Sequence, residues 1–239
     1  MPGRAKPGFA APTCSNYSRE VLGRSATVVA ALLAASALAV TTVEIRTFET
    51  GDSYYRFLIW NLILAWVPFG FAVAAYLRAR RRTDVAVVAM LALWLLFFPN
   101  APYLLTDFLH LGEGPAPLWY DAMMISAFAW TGLMLGFASL YVVQRILTPA
   151  VGRAAAWLGV LAALALGSIG VYIGRFIRFN SWDALLHPQE VADVAREHLI
   201  SVPSRTAAAL VVLTAFLVVG YLVVYSFANL RLESDRREG

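Results

Sequence analysis

Apolar residues fall into six long blocks along the 239-residue chain, roughly 25–44, 54–77, 84–98, 119–144, 154–174 and 205–229. Within a block the apolar positions are continuous rather than alternating, and residues 30–40 are rich in Ala and Leu. A membrane β-barrel would show segments of about ten residues with strict alternation. A spanning helix needs about 20 mostly apolar residues, and five of the blocks meet that length, while the third, 84–98, is short. The pattern predicts an all-α polytopic membrane helix bundle of about six transmembrane helices. It divides the chain into a disordered tail at 1–24, a single transmembrane domain at 25–230 and a second tail at 231–239.

The polar interruptions are confined mainly to two connections. Residues 97–110 read Phe-Phe-Pro-Asn-Ala-Pro-Tyr-Leu-Leu-Thr-Asp-Phe-Leu-His, and 172–183 read Tyr-Ile-Gly-Arg-Phe-Ile-Arg-Phe-Asn-Ser-Trp-Asp. In the first, Pro99 and Pro102 remove backbone donors and clash with the preceding turn. The third span therefore breaks at 98–100. Asn100 is the expected N-cap of a short helix over 101–111 that lies in the interface or re-enters the protein. A second short helix, amphipathic over 189–200, is expected on the surface before the sixth span. Its outer face carries Glu190, Asp193, Arg196, Glu197 and His198.

Charge then orients the bundle. Thirteen of the nineteen basic residues lie in the two tails and the second and fourth connections, which gather Arg78, Arg80, Arg81, Arg82, Arg145 and Arg153. The excess of Lys and Arg on cytoplasmic segments places both termini in the cytoplasm. The three histidines and ten of the fifteen acids then fall outside. Basic runs beside spans are explained by orientation, so the net charge of +4 points to no nucleic-acid partner. The 14% of charged residues, against about 25% in soluble domains, points to membrane lipid as the surrounding partner. The single Cys14 excludes an intramolecular disulfide and a site of paired cysteines for zinc.

The candidate chemistry sits in the two outer motifs. Tyr103, Asp107 and His110 are spaced i, i+4, i+7 and share a helix face. Asp107 and His110, with Asp183 from the second motif, are candidate proton-transfer residues. Arg175 and Arg178 are candidates for holding an anionic group, a task that suits the planar guanidinium, with Asn100, Tyr103 and Asn180 as further ligand-binding candidates. The plainer reading is that Asp107 orients His110 or pairs with one of the two arginines. These residues complete no metal site, and nothing in the chain names a cofactor. Asn61, deep in the second span, needs a hydrogen-bond partner on another helix. Glu44 and Arg46 close the first span as an expected pair. Asp121 opens the fourth span, where an acid favours the helix N-terminus.

These same blocks carry a resemblance. The Pro-Asn-Ala-Pro-Tyr-Leu-Leu-Thr-Asp-Phe-Leu-His-Leu run, Trp119-Tyr120-Asp121, Ala129-Trp130-Thr131-Gly132, and Gly174-Arg175-Phe-Ile-Arg178-Phe-Asn180-Ser181-Trp182-Asp183 resemble domain-of-unknown-function family 1361 over about 50–230. The resemblance implies a multi-pass protein of the bacterial plasma membrane. It supplies no reaction, ligand or catalytic assignment. Three functions therefore compete: a membrane-embedded enzyme or lipid-handling protein with an outward polar site, a small transporter or channel, and a scaffold without chemistry. A transporter would spread polar residues along a path through the bilayer, and only Asn61 lies clearly at depth.

Overall fold

A computed structural model describes residues 14–179 and 204–230, with four further positions between them. The described chain is helical without strands. Its long helices are α1 (Cys14–Thr50), α2 (Phe57–Ala79), α3 (Val85–Phe97), α5 (Leu118–Val151), α6 (Arg153–Tyr172) and α7 (Ser204–Ala228). The four-residue α4 (Asn100–Tyr103) and a 3-10 turn (Leu104–His110) continue α3, and a short 3-10 turn (Tyr54–Arg56) precedes α2. Six stretches are long and apolar enough to cross a membrane, and the third runs over Val85–His110, through the proline break. The protein is an integral, multi-pass membrane protein.

α5 is the axis of the bundle. Its most apolar window is 67% buried, against 11% for α7 at the periphery. The buried face of α5 includes Met124, Ile125, Phe128, Leu135 and Leu140. One core joins α1, α2 and α5 through Val43, Leu58, Leu62 and Phe128. A second joins α3, α5, α6 and α7 through Trp94, Phe137, Leu164 and Tyr221. Apolar packing alone gives little association between helices in lipid, so polar contacts matter for register. Trp94 Nε1 donates to Ser139 Oγ at 3.1 Å, Trp66 Nε1 to Ser36 Oγ at 3.1 Å, and the buried Tyr221 hydroxyl to Gln144 Oε1 at 2.5 Å.

The broken segment is wedged between α5 and α6 rather than laid on the surface. Ala101 and Leu104 are fully buried. Glycines make room for it: a Cβ on Gly132 would sit 2.6 Å from the Ala101 carbonyl oxygen, and one on Gly170 would overlap the Pro99 ring. The regular helix is interrupted at Phe98 and Pro99, although both keep right-handed helical dihedrals, and Asn100 is not the cap. It is the first residue of α4, and its Nδ2 donates back to the Phe97 carbonyl at 2.9 Å. Because α4 follows α3 with one turn between them, its first donors are taken by backbone carbonyls, as in Ala101 N to Phe98 O and Tyr103 N to Pro99 O.

Three expectations need adjustment. Helix α1 starts at Cys14, inside the segment expected to be a disordered tail. The anticipated connection around Arg145–Arg153 is helical up to Val151, and only Gly152, at φ +86°, separates α5 from α6. Glu44 and Arg46 do not pair. Glu44 bonds Arg56 at 3.0 Å, and Arg46 turns inward to other acids. They are two residues apart on a helix and face different ways. The 1–13 and 231–239 segments and most of the expected 189–200 helix lie outside the described residues.

Candidate functional site

One end of the bundle gathers the C-terminal ends of α1 and α6, the turn before α2, the α4 break and the start of α5. Two arginine-centred clusters are built there, each from a buried aspartate and a tyrosine ring.

The first is centred on Arg175, which lies in a π turn (Ile173–Ile177) at the end of α6. Its Nη2 bonds Asp107 Oδ1, its Nε donates to Thr106 Oγ1 at 2.9 Å, and its Nη1 meets His110 Nε2 at 3.0 Å. Its guanidinium carbon lies 4.4 Å from the Tyr103 ring centroid, a cation–π geometry. Asp107 is fully buried, and its second oxygen accepts from Asn61 Nδ2 at 3.2 Å. The polar residue deep in the second span is thus a partner of this site. The shared face of Tyr103, Asp107 and His110 is real, although 104–110 winds as a 3-10 helix. The predicted contact of Asp107 with one of the two arginines is made by Arg175.

Donor arithmetic fixes the histidine. A guanidinium only donates, so His110 Nε2 must accept and the neutral ring carries its proton on Nδ1. Nδ1 then donates to the Tyr54 hydroxyl at 3.0 Å, with the Glu113 carboxylate 3.6 Å away. The Tyr54 hydroxyl in turn donates a hydrogen bond to the Glu113 carboxylate, which holds that carboxyl below its usual range. Asp107 therefore does not orient His110 directly. Arg175 stands between them.

The second cluster is centred on Arg46, whose side chain is 1% exposed. Its Nε bonds Asp121 Oδ1 at 2.7 Å and its Nη1 bonds Asp52 Oδ2 at 3.0 Å. Nη2 reaches the Glu113 carbonyl at 3.4 Å, and the Tyr55 ring lies beneath the guanidinium at 4.4 Å. The guanidinium holds the Asp52 carboxyl below the usual carboxylate range. Asp121 is fully buried, and its Oδ2 has no hydrogen-bond partner among the described residues. The reading of Asp121 as a helix-terminus acid missed this. The signal that could have found it is an acid and an arginine at the same end of two adjacent apolar blocks. The clusters touch: the Tyr55 hydroxyl bonds the His110 carbonyl, and Glu113 contributes to both.

A cavity of about 70 Å³ opens beside the first cluster, lined by Asn61, Asn100, Tyr103, Gly174 and Phe179, with Pro99 and Gly170 behind. Arg178 follows the π turn in left-handed geometry, φ +66° and ψ +29°. It is exposed and has no hydrogen bond or ion pair among the described residues. The structure thus brings together Asn100, Tyr103, Asp107, His110 and Arg175, with Arg178 following at the end of the π turn. Asn180 and Asp183 lie outside the described residues. Among the described residues no cluster of three His, Cys, Asp or Glu side chains could hold a metal ion.

The bundle and this end-on polar site define an integral membrane protein built around a proline-broken helix. Residues 60–221 match the model of the family described as "Protein of unknown function (DUF1361)", and the chain belongs to that family. No curated protein and no solved structure matches it.

Proposed function

We propose that this is a membrane-embedded lipid-handling protein whose site, between the α4 break and the end of α6, holds an anionic headgroup. The observation that carries the reading is the cavity lined by Asn61, Asn100 and Tyr103 beside a buried Asp107–Arg175 pair. Ionisable residues within a membrane-spanning bundle are costly and mark candidate functional sites. The charge bias of the sequence supports cytoplasmic termini, with this site at the opposite membrane face. The geometry favours holding over catalysis. Both Asp107 oxygens and His110 Nε2 are engaged within the protein, so neither is presented to a reacting atom.

The scaffold reading has its own support, since every polar side chain bonded to Arg175 is fully paired. A cavity-filling variant separates the two. A Cβ at Gly174 would make ordinary contact with Tyr103 at 3.4 Å, so Gly174→Ala narrows the cavity without forcing a rearrangement. Lipid that co-purifies in mild detergent is measured by mass spectrometry beside thermal stability. The headgroup reading expects bound anionic lipid in the wild type and its reduction in Gly174→Ala at similar stability. Equal lipid content in both proteins would leave the scaffold standing.

A further inference from the structure

His110 sits between two groups that require opposite protonation of its ring. On one side is Arg175, from the π turn that ends α6, whose Nη1 lies 3.0 Å from His110 Nε2. On the other is Glu113, from the connection into α5, whose carboxylate lies 3.6 Å from Nδ1. A guanidinium can only donate, so the Arg175 contact needs an unprotonated Nε2 and a neutral ring. A carboxylate can only accept, so a direct bond to Glu113 is strongest when the ring is a cation. Tyr54, from the turn before α2, bridges Nδ1 and Glu113 through its hydroxyl, which accepts from one and donates to the other. Tyr55 bonds the His110 carbonyl, anchoring the main chain and leaving the ring free to turn. Asp107, on the same 3-10 segment as His110, spends Oδ1 on Arg175 and Oδ2 on Asn61. The Phe57 ring packs edge-on at 5.1 Å and carries no charge. These are the titratable and charged groups that face the ring among the described residues, together with that one apolar neighbour.

We infer that His110 is a proton-operated switch: its neutral ring holds Arg175, and its charged ring releases Arg175 and closes on Glu113. Both states have their partners in place. With the ring neutral, Nε2 accepts from Arg175, Nδ1 donates to Tyr54, and Tyr54 donates to Glu113. The His110 side chain is 28% exposed, so solvent can deliver a second proton, which goes to Nε2. Two donors and two positive charges then face each other across 3.0 Å, and they repel. The Nδ1 side gains at the same moment, because the 3.6 Å gap to Glu113 can shorten to a charge-assisted bond of about 2.7–2.9 Å. The Tyr54 hydroxyl holds the Glu113 carboxyl below its usual range, so Glu113 is still an anion in mild acid. Imidazole is the side chain suited to a change of charge between pH 5 and 8, and such a change can flip a two-state contact. What the switch moves is the end of α6. Arg175 keeps Asp107 and Thr106 in both states, but only the neutral ring ties it to the last residue of the broken segment. The Arg175 guanidinium lies on the Tyr103 ring, which lines the cavity, so the state of His110 is felt at the cavity wall. The switch works in the same way whatever the cavity holds.

The test is nitrogen-15 NMR of the full chain in detergent micelles, with histidine and arginine labelled, between pH 8 and pH 5. His110→Gln assigns the ring signals, and the double variant Asp107→Leu/Arg175→Met assigns the Arg175 guanidinium. At the alkaline end we expect a neutral His110 ring with its proton on Nδ1. As pH falls the ring should gain its second proton, and the Arg175 signal should move along the same curve. In His110→Gln that signal should stay still, because the amide oxygen can accept from Arg175 throughout the range. Glu113→Gln removes only an exposed carboxylate and should shift the His110 curve to lower pH by about half a unit or more. The double variant removes the guanidinium and should shift the curve to higher pH. A neutral ring protonated on Nε2 would overturn the switch. So would a ring that does not titrate across this range, or an Arg175 signal indifferent to that titration. A Glu113→Gln curve that is unmoved or displaced upward would overturn it too, and that variant decides alone if the double variant does not fold. None of these measurements involves bound lipid, so the headgroup reading stands or falls separately, on the Gly174→Ala comparison.

Discussion

Replacing Asp107 by Leu isolates the buried ion pair. The carboxylate is fully buried and the Arg175 side chain 11% exposed. Removing one member of such a pair leaves the other charge uncompensated, at a cost of about 3–5 kcal/mol. Thr106 and His110 still accept from Arg175, which offsets more than Asn61's lost acceptor adds, so the lower half of that range is expected. For a chain of this size each kcal/mol moves the melting temperature by about 2–4 °C. Asp107→Leu should therefore melt roughly 10 °C below wild type in detergent. The double variant Asp107→Leu/Arg175→Met removes both charges and should recover most of the loss, because well-packed apolar replacements of buried pairs are often neutral. Two results would refute the reasoning. One is a single variant within about 2 °C of wild type, which would mean that water reaches the pair. The other is a double variant no better than the single, which would mean that Asp107 stabilises through Asn61 rather than through charge.

Gly132→Ala should destabilise by about 1–3 kcal/mol, read as a lowered melting temperature, since its Cβ would meet the Ala101 carbonyl at 2.6 Å. Asp84 is held down to about 2 by Arg78 and, with it, Arg82. Its folded value is depressed, so its contribution is present above the ordinary carboxylate pKa and lost as pH falls toward 2. Carbon-13 NMR of labelled aspartate should show this resonance titrating below the others, and Arg78→Gln should raise it. Tyr54→Phe should likewise raise the Glu113 pKa toward its ordinary value in a labelled-glutamate titration. For topology, single cysteines at Pro115 and Arg81 in a Cys14→Ser background are tested with an impermeant reagent on intact cells. Only Pro115 should label, and labelling of Arg81 alone would invert the orientation.

The spans were legible because hydrocarbon imposes length and continuity on every apolar block, and the paired Pro99 and Pro102 interrupt the third, whereas the single Pro68 and Pro149 are carried inside α2 and α5. The Asp107–Arg175 contact was legible for a similar reason: an arginine near a helix end in lipid needs an acid, and Asp107 is well placed. Arg46 shows where that logic fails. Proximity in sequence favoured Glu44, but the helix directs the two side chains apart, and the true partner is 75 residues away. Asn61 clearly needed a partner, yet its sequence position does not reveal which helix lies beside α2. The α5–α6 joint was hidden because Thr148, Pro149 and the flanking arginines look like a loop, whereas helix α5 continues to a single glycine.

The π turn at the end of α6 acts as a phase adjuster. An α-helix would put Arg175 and Arg178 three residues apart on one face, pointing both the same way. The wider turn and the left-handed residue after it uncouple their directions, leaving one guanidinium inside the bundle and the other at its edge. Such turns correspond to one extra residue in a helix. Losing a single residue between the arginines would restore regular winding and turn everything beyond it by about 100°, the α-helical step per residue. The arginines would then stand two residues apart, on nearly opposite sides of a regular helix, so the direction of the outer charge and of the chain after it would be reset. For this segment, length carries as much information as residue identity.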